Sequence, residues 1–194
     1  MGKFVLGAKR PLIIAGPCSA ETREQTVETA MQLARSGRVD VIRAGVWKPR
    51  TQPGTFEGVG EPALEWLNEV KAATGLPIAV EVANRAHVEC ALRHGVDLLW
   101  IGARTTVSPF AVQEIAESLR GNKDVAVLIK NPMVPDINLW AGAVNRLIKE
   151  GIPAENIGLI HRGFSYFGRS KYRNPPMWHM IFEMRSRFPD MMMI

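Results

Sequence analysis

The sequence contains few cysteines, no long apolar stretch and no segment typical of secreted or membrane proteins. Only Cys18 and Cys90 occur among 194 residues, and they lie far apart in unlike surroundings. No secretory signal is visible, because the first apolar run is short and is broken by Pro17. We therefore expect no disulfide and a reducing compartment. No run approaches the roughly 20 apolar residues of a membrane helix, so a cytoplasmic protein without a membrane partner is predicted.

The sequence also has no segment in which residues of one charge sign are concentrated. The 24 Lys and Arg against 19 Asp and Glu give a net charge of +5, and aromatic residues make up 7% of the chain. Because no basic stripe is interleaved with aromatics, a nucleic-acid partner is not expected. A Ser- or Pro-rich linker and a residue-level repeat are missing as well. The length and a hydrophobic fraction of 46% favour one domain with a sizeable core.

Six short apolar runs each stop at a cation or an isolated polar residue. The runs are 11–19, 39–51, 76–84, 97–106, 125–131 and 156–163. Their ends carry Cys18, Arg43, Lys48, Arg50, Glu81, Arg104, Lys130 and Arg162. A buried strand gains nothing from terminal Arg or Lys unless an anion lies there, so the pattern predicts a site for phosphates and carboxylates beside a metal.

Helical patterns separate these runs. They are 22–36, 62–74, 86–94, 109–120, 139–150 and 176–187, and most end at a glycine. Strands alternating with helices predict an α/β protein with a parallel sheet. A doubly wound open sheet and a (β/α)8 TIM barrel both fit. Functional residues at nearly every strand end favour the barrel, which gathers all of these ends around one mouth.

The number of units is too small for a closed barrel. Six βα units and a seventh apolar run from Met191 fit within residues 1–194, whereas a complete barrel typically needs about 250 residues. An apolar run is rarely left as an unpaired terminal strand. We therefore expect an incomplete (β/α)8 barrel domain over 1–194 whose C-terminal part, with the seventh and eighth strands, is missing.

The segment 42–60 carries the most specific pattern. Arg43, Lys48 and Arg50 crowd onto one strand end, followed by a loop stiffened by proline and glycine. Arg offers a bidentate fork for phosphate or carboxylate, and Lys offers a point charge or a proton. A solvated basic loop would explain any one of these cations, but it explains the set poorly.

Other positions carry weaker patterns. Arg104 lies just before a helix start capped by Ser108, which favours a phosphate cradle. Glu81 would be a costly buried charge unless cations or water satisfy it. Cys18 at a strand end is a candidate metal ligand, whereas Cys90 in a helical pattern is interpreted as a core residue. The histidines of the predicted helices, His87, His94 and His179, are interpreted as structural, and the role of His161 stays open.

The motifs GPCS, KPRT and IGARTT, followed by a Lys-Asn and an Arg-Gly pair, together resemble those of 3-deoxy-D-arabino-heptulosonate 7-phosphate (DAHP) synthases along the whole chain. The compact loops are similar to the beta-type branch of the class I family. The resemblance implies a (β/α)8 barrel that condenses phosphoenolpyruvate with erythrose 4-phosphate and releases phosphate. This is the first step of the shikimate pathway of aromatic amino acid biosynthesis, and it needs a divalent metal such as Mn²⁺.

The resemblance also implies roles for single residues. Cys18 would be a metal ligand, and Glu81 would position a water. The phosphate of phosphoenolpyruvate would be held by Arg104, Lys130 and Arg162 with the backbone of Ala103. Its carboxylate and reacting carbons would lie near Arg43 and Lys48, with Lys48 a candidate proton donor. Erythrose 4-phosphate would be bound by Pro49, Arg50 and Thr51.

One departure from the family pattern affects the activity expected. Members take their other metal ligands, a His, a Glu and an Asp, from the seventh and eighth strands, so Cys18 is the only one present. We therefore expect little activity from this chain and activity from a longer parent protein. Some members of the family also carry a chorismate mutase domain, and the parent protein could contain one. A homo-oligomer is also expected, because an incomplete barrel exposes strand edges and apolar helix faces.

Two alternatives remain open. The sister enzyme, 3-deoxy-octulosonate 8-phosphate synthase, uses arabinose 5-phosphate and has an Ala-Asn-type loop where this chain has KPRT. A non-catalytic anion-binding barrel would bind phosphoenolpyruvate without turning it over.

Overall fold

The computed structural model describes residues 4–7 and 11–194, and in them strands and helices alternate. The strands are β1 (Ile14–Ala15), β2 (Val41–Ala44), β3 (Ile78–Val82), β4 (Leu98–Ile101), β5 (Ala126–Lys130), β6 (Ile157–Ile160) and β7 (Met192–Met193). The helices are α1 (Arg23–Arg35), α2 (Pro62–Thr74), α3 (Arg85–Arg93), α4 (Ala103–Thr106), α5 (Pro109–Ser118), α6 (Ile137–Lys149) and α7 (Trp178–Arg187). A 3₁₀ turn, Ala154–Asn156, precedes β6.

All seven strands form one parallel sheet in the order β1-β2-β3-β4-β5-β6-β7. Each strand pairs with the next one along the chain, as in the β3–β4 pairing of Glu81 with Trp100. A doubly wound sheet would reverse its order at a switch point, and this sheet does not. The prediction of an incomplete (β/α)8 barrel, with six βα units and the start of a seventh strand, is confirmed.

The continuous apolar runs are explained by two hydrophobic layers, one on each face of the sheet. In β4, Leu99 and Ile101 pack in the layer between sheet and helices. Leu98 and Trp100 point to the opposite face, where they pack inside the barrel. Since both faces are covered, a strand needs apolar residues at every position rather than at alternate ones.

The helices begin and end close to the predicted positions. Thr22, Asn84, Ser108 and Asp136 cap the starts of α1, α3, α5 and α6 by accepting backbone N–H groups. One segment differs from the prediction: the run 97–106 leaves the sheet at Ile101 and its last four residues form α4. In the described part of the chain, the helices are too short or too polar to cross a membrane.

Candidate functional site

The carboxyl ends of the strands open onto a cavity of about 370 Å³. It is lined by Cys18, Lys48, Pro49, Arg50, Thr51, Glu81, Ala103, Arg104, Lys130, Met133, Arg162 and Arg173. The parallel sheet thus brings together residues that are far apart in sequence. Of the predicted site residues, Arg43 is the one that lies elsewhere.

Arg43 sits deeper, on β2 inside the barrel. Together with Trp100 and Lys130 it lines a second cavity of about 210 Å³. Its positive charge helps to lower the pKa of the Cys18 thiol. Arg43 therefore lies beneath the mouth and contributes positive charge to it from below.

Cys18 and Lys48 form a close pair at the rim of the cavity. The Lys48 Nζ donates to the Cys18 carbonyl oxygen at 2.7 Å and lies 3.6 Å from its Sγ. The positive charge of Lys48, helped by Arg43, lowers the pKa of the Cys18 thiol despite partial burial. A low pKa favours the thiolate, which is the form that binds metals.

The donor set around Cys18 fits a divalent metal in part. A thiolate suits a borderline or softer ion. Among the residues lining the cavity, Glu81 is the one carboxylate, and its Oε2 accepts a hydrogen bond from the Trp100 Nε1 at 2.8 Å. Cys18 can therefore supply one ligand, and a complete coordination sphere needs donors beyond those of this cavity.

Lys130 is a half-buried cation of the mouth. Its Nζ lies 5.2 Å from the ring centroid of Trp100, a cation–π contact. Burial lowers the pKa of Lys130, and Arg43, Arg162 and Lys48 lower it further, although the charge of Glu81 opposes this. A bound anion would relieve the repulsion between these cations.

Arg162 is held in place by its neighbours on two segments. Its backbone N–H donates to the Oδ1 of the buried Asn131 at 2.7 Å, and its Nη2 donates to the Asn174 Oδ1 at 2.9 Å. Burial is the main cause that lowers the pKa of Arg162, followed by the charges of Arg173 and Arg104. The guanidinium is thus fixed in a position where other cations face it.

The helix α4 places Ala103 and Arg104 at the mouth. Gly102 precedes it, and a Cβ at this position would collide with the Glu81 carboxylate. The Thr106 hydroxyl, at the helix end, lies 3.0 Å from both the Gly102 and the Lys130 carbonyl oxygens, so it can donate to either. This packing ties the Arg104 segment to β3 and β5.

Hydrogen bonds to its own backbone carbonyl groups stabilise the loop that carries Lys48 and Arg50. The Lys48 N–H donates to the Glu57 carbonyl oxygen at 2.8 Å, and the Arg50 Nε donates to the Phe56 carbonyl oxygen at 2.8 Å. Behind this loop lies a cavity of about 400 Å³. One of its walls is the stacked pair of Trp47 and His87, with ring centroids 4.2 Å apart.

His161 and His94 are not among the residues that line the cavity at the mouth. His161 packs against the rings of Phe164 and Trp178, and its Nε2 accepts the Met177 N–H at 3.4 Å. His94 contacts Glu65 through Nε2 at 3.1 Å.

A second group of metal-ligating side chains lies outside the mouth. Donor atoms of Glu61, Cys90 and His94 come within 4.8 Å of one another. Cys90 is buried, as the sequence predicts, and burial raises the pKa of its thiol. This group belongs to the start of α2 and the end of α3 and does not include Cys18.

Sequence reasoning missed Trp100, Met133 and Arg173, and it did not predict the contacts of Asn131. Trp100 links Glu81 to Lys130, Asn131 anchors Arg162, and Arg173 lines the cavity from the loop after β6. The cation-rich stretch 169–173 is a visible signal for Arg173. No pattern marks Trp100, and the Lys-Asn pair marks Asn131 without revealing its contacts, because both roles depend on contacts between strands.

Comparison with known proteins identifies a family. Residues 3–189 match the sequence model described as the DAHP synthetase I family. A Thermotoga maritima protein, phospho-2-dehydro-3-deoxyheptonate aldolase, is 39% identical over 104 residues, covering 54% of this chain and 30% of that protein. A 2-dehydro-3-deoxyphosphooctonate aldolase of Methylobacillus flagellatus is 36% identical over 92 residues, covering 44% of this chain and 33% of that protein.

A solved structure shares the fold over nearly the whole chain. The crystal structure of the Thermotoga maritima phospho-2-dehydro-3-deoxyheptonate aldolase (DAHP synthase) superimposes with a TM-score of 0.79 at 29% identity. The match covers 95% of this chain and 50% of that one. The chain thus spans about half the length of this relative, and the aligned segments of the two sequences described above cover about a third of those proteins.

Proposed function

Because the chain belongs to the DAHP synthetase I family, we propose that it carries the anion-binding part of a DAHP synthase active site. The reaction proposed is the condensation of phosphoenolpyruvate with erythrose 4-phosphate, which releases phosphate and opens the shikimate pathway in the cytoplasm. One observation carries the proposal. A single cavity collects Lys48, Arg50, Arg104, Lys130, Arg162 and Arg173 around one thiol and one carboxylate.

We assign the phosphate of phosphoenolpyruvate to Arg104, Lys130 and Arg162, with the Ala103 backbone. A phosphate monoester carries about −1.5 to −2 charges at pH 7, which would offset the mutual repulsion of these cations. The burial of Lys130 strengthens its electrostatic interaction with a bound anion. These contacts hold the enol substrate in one orientation, which lowers the entropic cost of the reaction.

The reacting carbons and the carboxylate of phosphoenolpyruvate belong beside Lys48 and Arg43 in this proposal. Lys48 lies at the rim, where its ammonium can give a proton, and Arg43 lies beneath it. The Trp100 N–H orients Glu81 by donating to its Oε2, so the Oε1 can accept a hydrogen bond from a water molecule. In this proposal C3 of phosphoenolpyruvate bonds to the aldehyde carbon, and the aldehyde oxygen takes the proton of Lys48. That water would add to the resulting cationic carbon that bears the phosphate, and phosphate would leave as the added oxygen loses its protons and forms the new carbonyl.

We place erythrose 4-phosphate against the loop that contains Pro49, Arg50 and Thr51. The Arg50 Nε is used by the Phe56 carbonyl, so its two terminal nitrogens remain available for a phosphate. The cavity behind this loop shares Lys48, Pro49, Arg50 and Glu81 with the main one. The loop therefore separates two spaces, and its position decides how deeply an aldose phosphate can enter.

A divalent metal such as Mn²⁺ would be held at the Cys18 sulfur. When bound, such an ion polarises a carbonyl oxygen as a Lewis acid. We propose that its other ligands come from residues outside these 194, since the relatives are longer and the cavity offers Cys18 and Glu81 as anionic donors. A chorismate mutase domain and a homo-oligomer stay proposals of the same kind.

The proposal is tested by phosphate release from phosphoenolpyruvate and erythrose 4-phosphate with Mn²⁺. We expect little turnover from the 194-residue chain and metal-dependent turnover from a chain extended by the rest of the barrel. In the extended chain, Arg162→Ala should lower kcat/KM by roughly 30-fold or more, because losing one partner of a desolvated charge pair costs about 2–5 kcal/mol. A folded, metal-loaded extended chain without turnover would leave the non-catalytic anion-binding barrel as the better description.

A second candidate is an octulosonate-type synthase. The 2-dehydro-3-deoxyphosphooctonate aldolases of Methylobacillus flagellatus and Paraburkholderia xenovorans are 36% and 31% identical over part of the chain. The same assay with arabinose 5-phosphate decides between the two. Faster turnover of erythrose 4-phosphate supports the DAHP synthase, and the reverse order supports the alternative.

A further inference from the structure

Arg173 lines the same cavity, but it lies in a long connecting loop and does not follow directly on the end of a strand. It belongs to the connection between the end of β6 at Ile160 and the start of α7 at Trp178, in which residues 162–164 lie beside Asn174 and Pro175. Gly163 has a φ of 82° and packs so tightly on the Asn174 backbone that any side chain would collide with it. The Phe164 N–H donates to the Pro175 carbonyl oxygen at 3.1 Å. The two ends of the connection are therefore fastened together beside the mouth.

The fastened base also sets the position of Arg173 relative to Arg162. Asn174, the next residue, accepts the Arg162 Nη2 at 2.9 Å. On the other side, the Ser165 N–H donates to the Met133 carbonyl oxygen at 2.7 Å, and Met133 also lines the cavity. Arg173 is thus placed by the base of the connection rather than by its exposed tip.

The surroundings of Arg173 contain cations but almost no negative charge. It shares the cavity with Arg104, Lys130 and Arg162, and Glu81 is the one carboxylate among the lining residues. In the described part of the chain, no side-chain hydrogen bond or ion pair of Arg173 is found. Arg173 and Arg104 both repel Arg162 and help to lower its pKa. Like charges held together in this way destabilise the empty cavity, and a bound anion offsets the repulsion.

We propose that Arg173 is a further phosphate-contacting residue, which closes on the phosphate group that Arg162 holds. Arg162 is half-buried and its orientation is fixed by Asn174, whereas Arg173 is exposed and its guanidinium is available. Two Arg forks on one phosphate supply more directed donors than a single fork can. The identity of the substrate that carries this phosphate rests on the proposed function. The binding of a phosphate group at this place in the cavity does not rest on it.

The experiment measures binding of inorganic phosphate and of phosphoenolpyruvate by isothermal titration calorimetry. The variants are Arg173→Ala, Arg173→Lys and, as a matched control, Arg169→Ala. Arg169 is an exposed cation of the same connection and does not line the cavity. We expect Arg173→Ala to raise Kd about tenfold, which corresponds to about 1.4 kcal/mol. Arg173→Lys should recover part of the affinity, and Arg169→Ala should stay within about twofold.

The outcomes separate this inference from the proposed function. Unchanged phosphate binding in Arg173→Ala, with binding lost in Arg162→Ala, overturns the inference alone. An equal loss in Arg169→Ala also overturns it, because the effect would then be a general loss of charge. If Arg173→Ala weakens phosphate binding but no sugar phosphate is turned over by the extended chain, the inference stands and the proposed function fails. A thermal melt of each variant shows that it is folded.

Discussion

The chemistry of Cys18 follows from two cations that the fold places beside it. Lys48 comes from the loop after β2 and Arg43 from within β2, while Cys18 follows β1. Lys48 is the larger cause of the lowered pKa of the thiol. In contrast, Cys90 is buried, and its thiol pKa is raised by desolvation and by Glu61. The two thiols should therefore react very differently with an electrophile.

We predict that iodoacetamide alkylates Cys18 in the metal-free protein with a pH midpoint below that of an ordinary cysteine. Replacing Lys48 by Ala removes the main stabilisation of the thiolate, so the midpoint should move to higher pH and the rate at pH 7 should fall several-fold. The measurement is the alkylation rate against pH in a Cys90→Ser background with a chelator present. Lys149→Ala, on the exposed end of α6, is the control. An unmoved midpoint in Lys48→Ala would show that Lys48 does not set the pKa.

At the scale of elements, Asn131 joins the end of β5 to the connection after β6. Its Oδ1 accepts the Arg162 N–H, and its Nδ2 donates to the carbonyl oxygens of Pro132 and Gly163 at 2.8 and 2.7 Å. The side chain is fully buried, so water cannot replace these bonds. The side-chain amide of Asn131 therefore fixes both the end of β5 and the backbone that carries Arg162.

Asn131→Ala is predicted to lower the free energy of unfolding by about 2–4 kcal/mol. The reason is that the Arg162 N–H and the Pro132 carbonyl lose their bonds to Asn131, and each unsatisfied group costs about 1–3 kcal/mol. The Gly163 carbonyl keeps the 3.3 Å bond from the Arg162 Nη1. Urea denaturation measures the change. Asn156→Ala is the matched control, because its amide donates to the Lys123 carbonyl in an exposed turn and should cost under about 1.5 kcal/mol. Equal, small losses in the two variants would contradict the structural role of Asn131.

The elements show how far the sequence predicts this structure. All six helical patterns and all six apolar runs correspond to helices and strands, because periodicity and caps such as Ser108 are local signals. The sequence does not predict the short helix α4. Four residues are too few to show a helical periodicity of apolar residues, and Gly102 is the only residue there that signals the end of the strand. In the site, cations at strand ends were predictable from position alone. Trp100 and the contacts of Asn131 were not, because their partners come from neighbouring strands and loops.

At the scale of the whole molecule, the two edges of the sheet differ from its centre. The edge strands β1 and β7 have two residues each, whereas the strands between them have four or five. Short edges offer few backbone groups for pairing with another chain. The helix α7 packs on α6, and its Phe182 and Trp178 are 70% and 60% exposed. The apolar side of α7 is therefore a candidate surface for association of this chain.

We predict that the chain associates with itself in a concentration-dependent way and that Phe182→Asp weakens this association at least several-fold. A charge at the centre of an apolar contact must be desolvated without a partner, which opposes docking. Static light scattering over a range of protein concentrations measures the mean mass of each variant. Phe110→Asp is the control, because Phe110 is 88% exposed but lies at the start of α5, which is flanked by α3 and α6. A monomer at every concentration contradicts the prediction, and equal weakening by both substitutions shows that α7 is not the surface used.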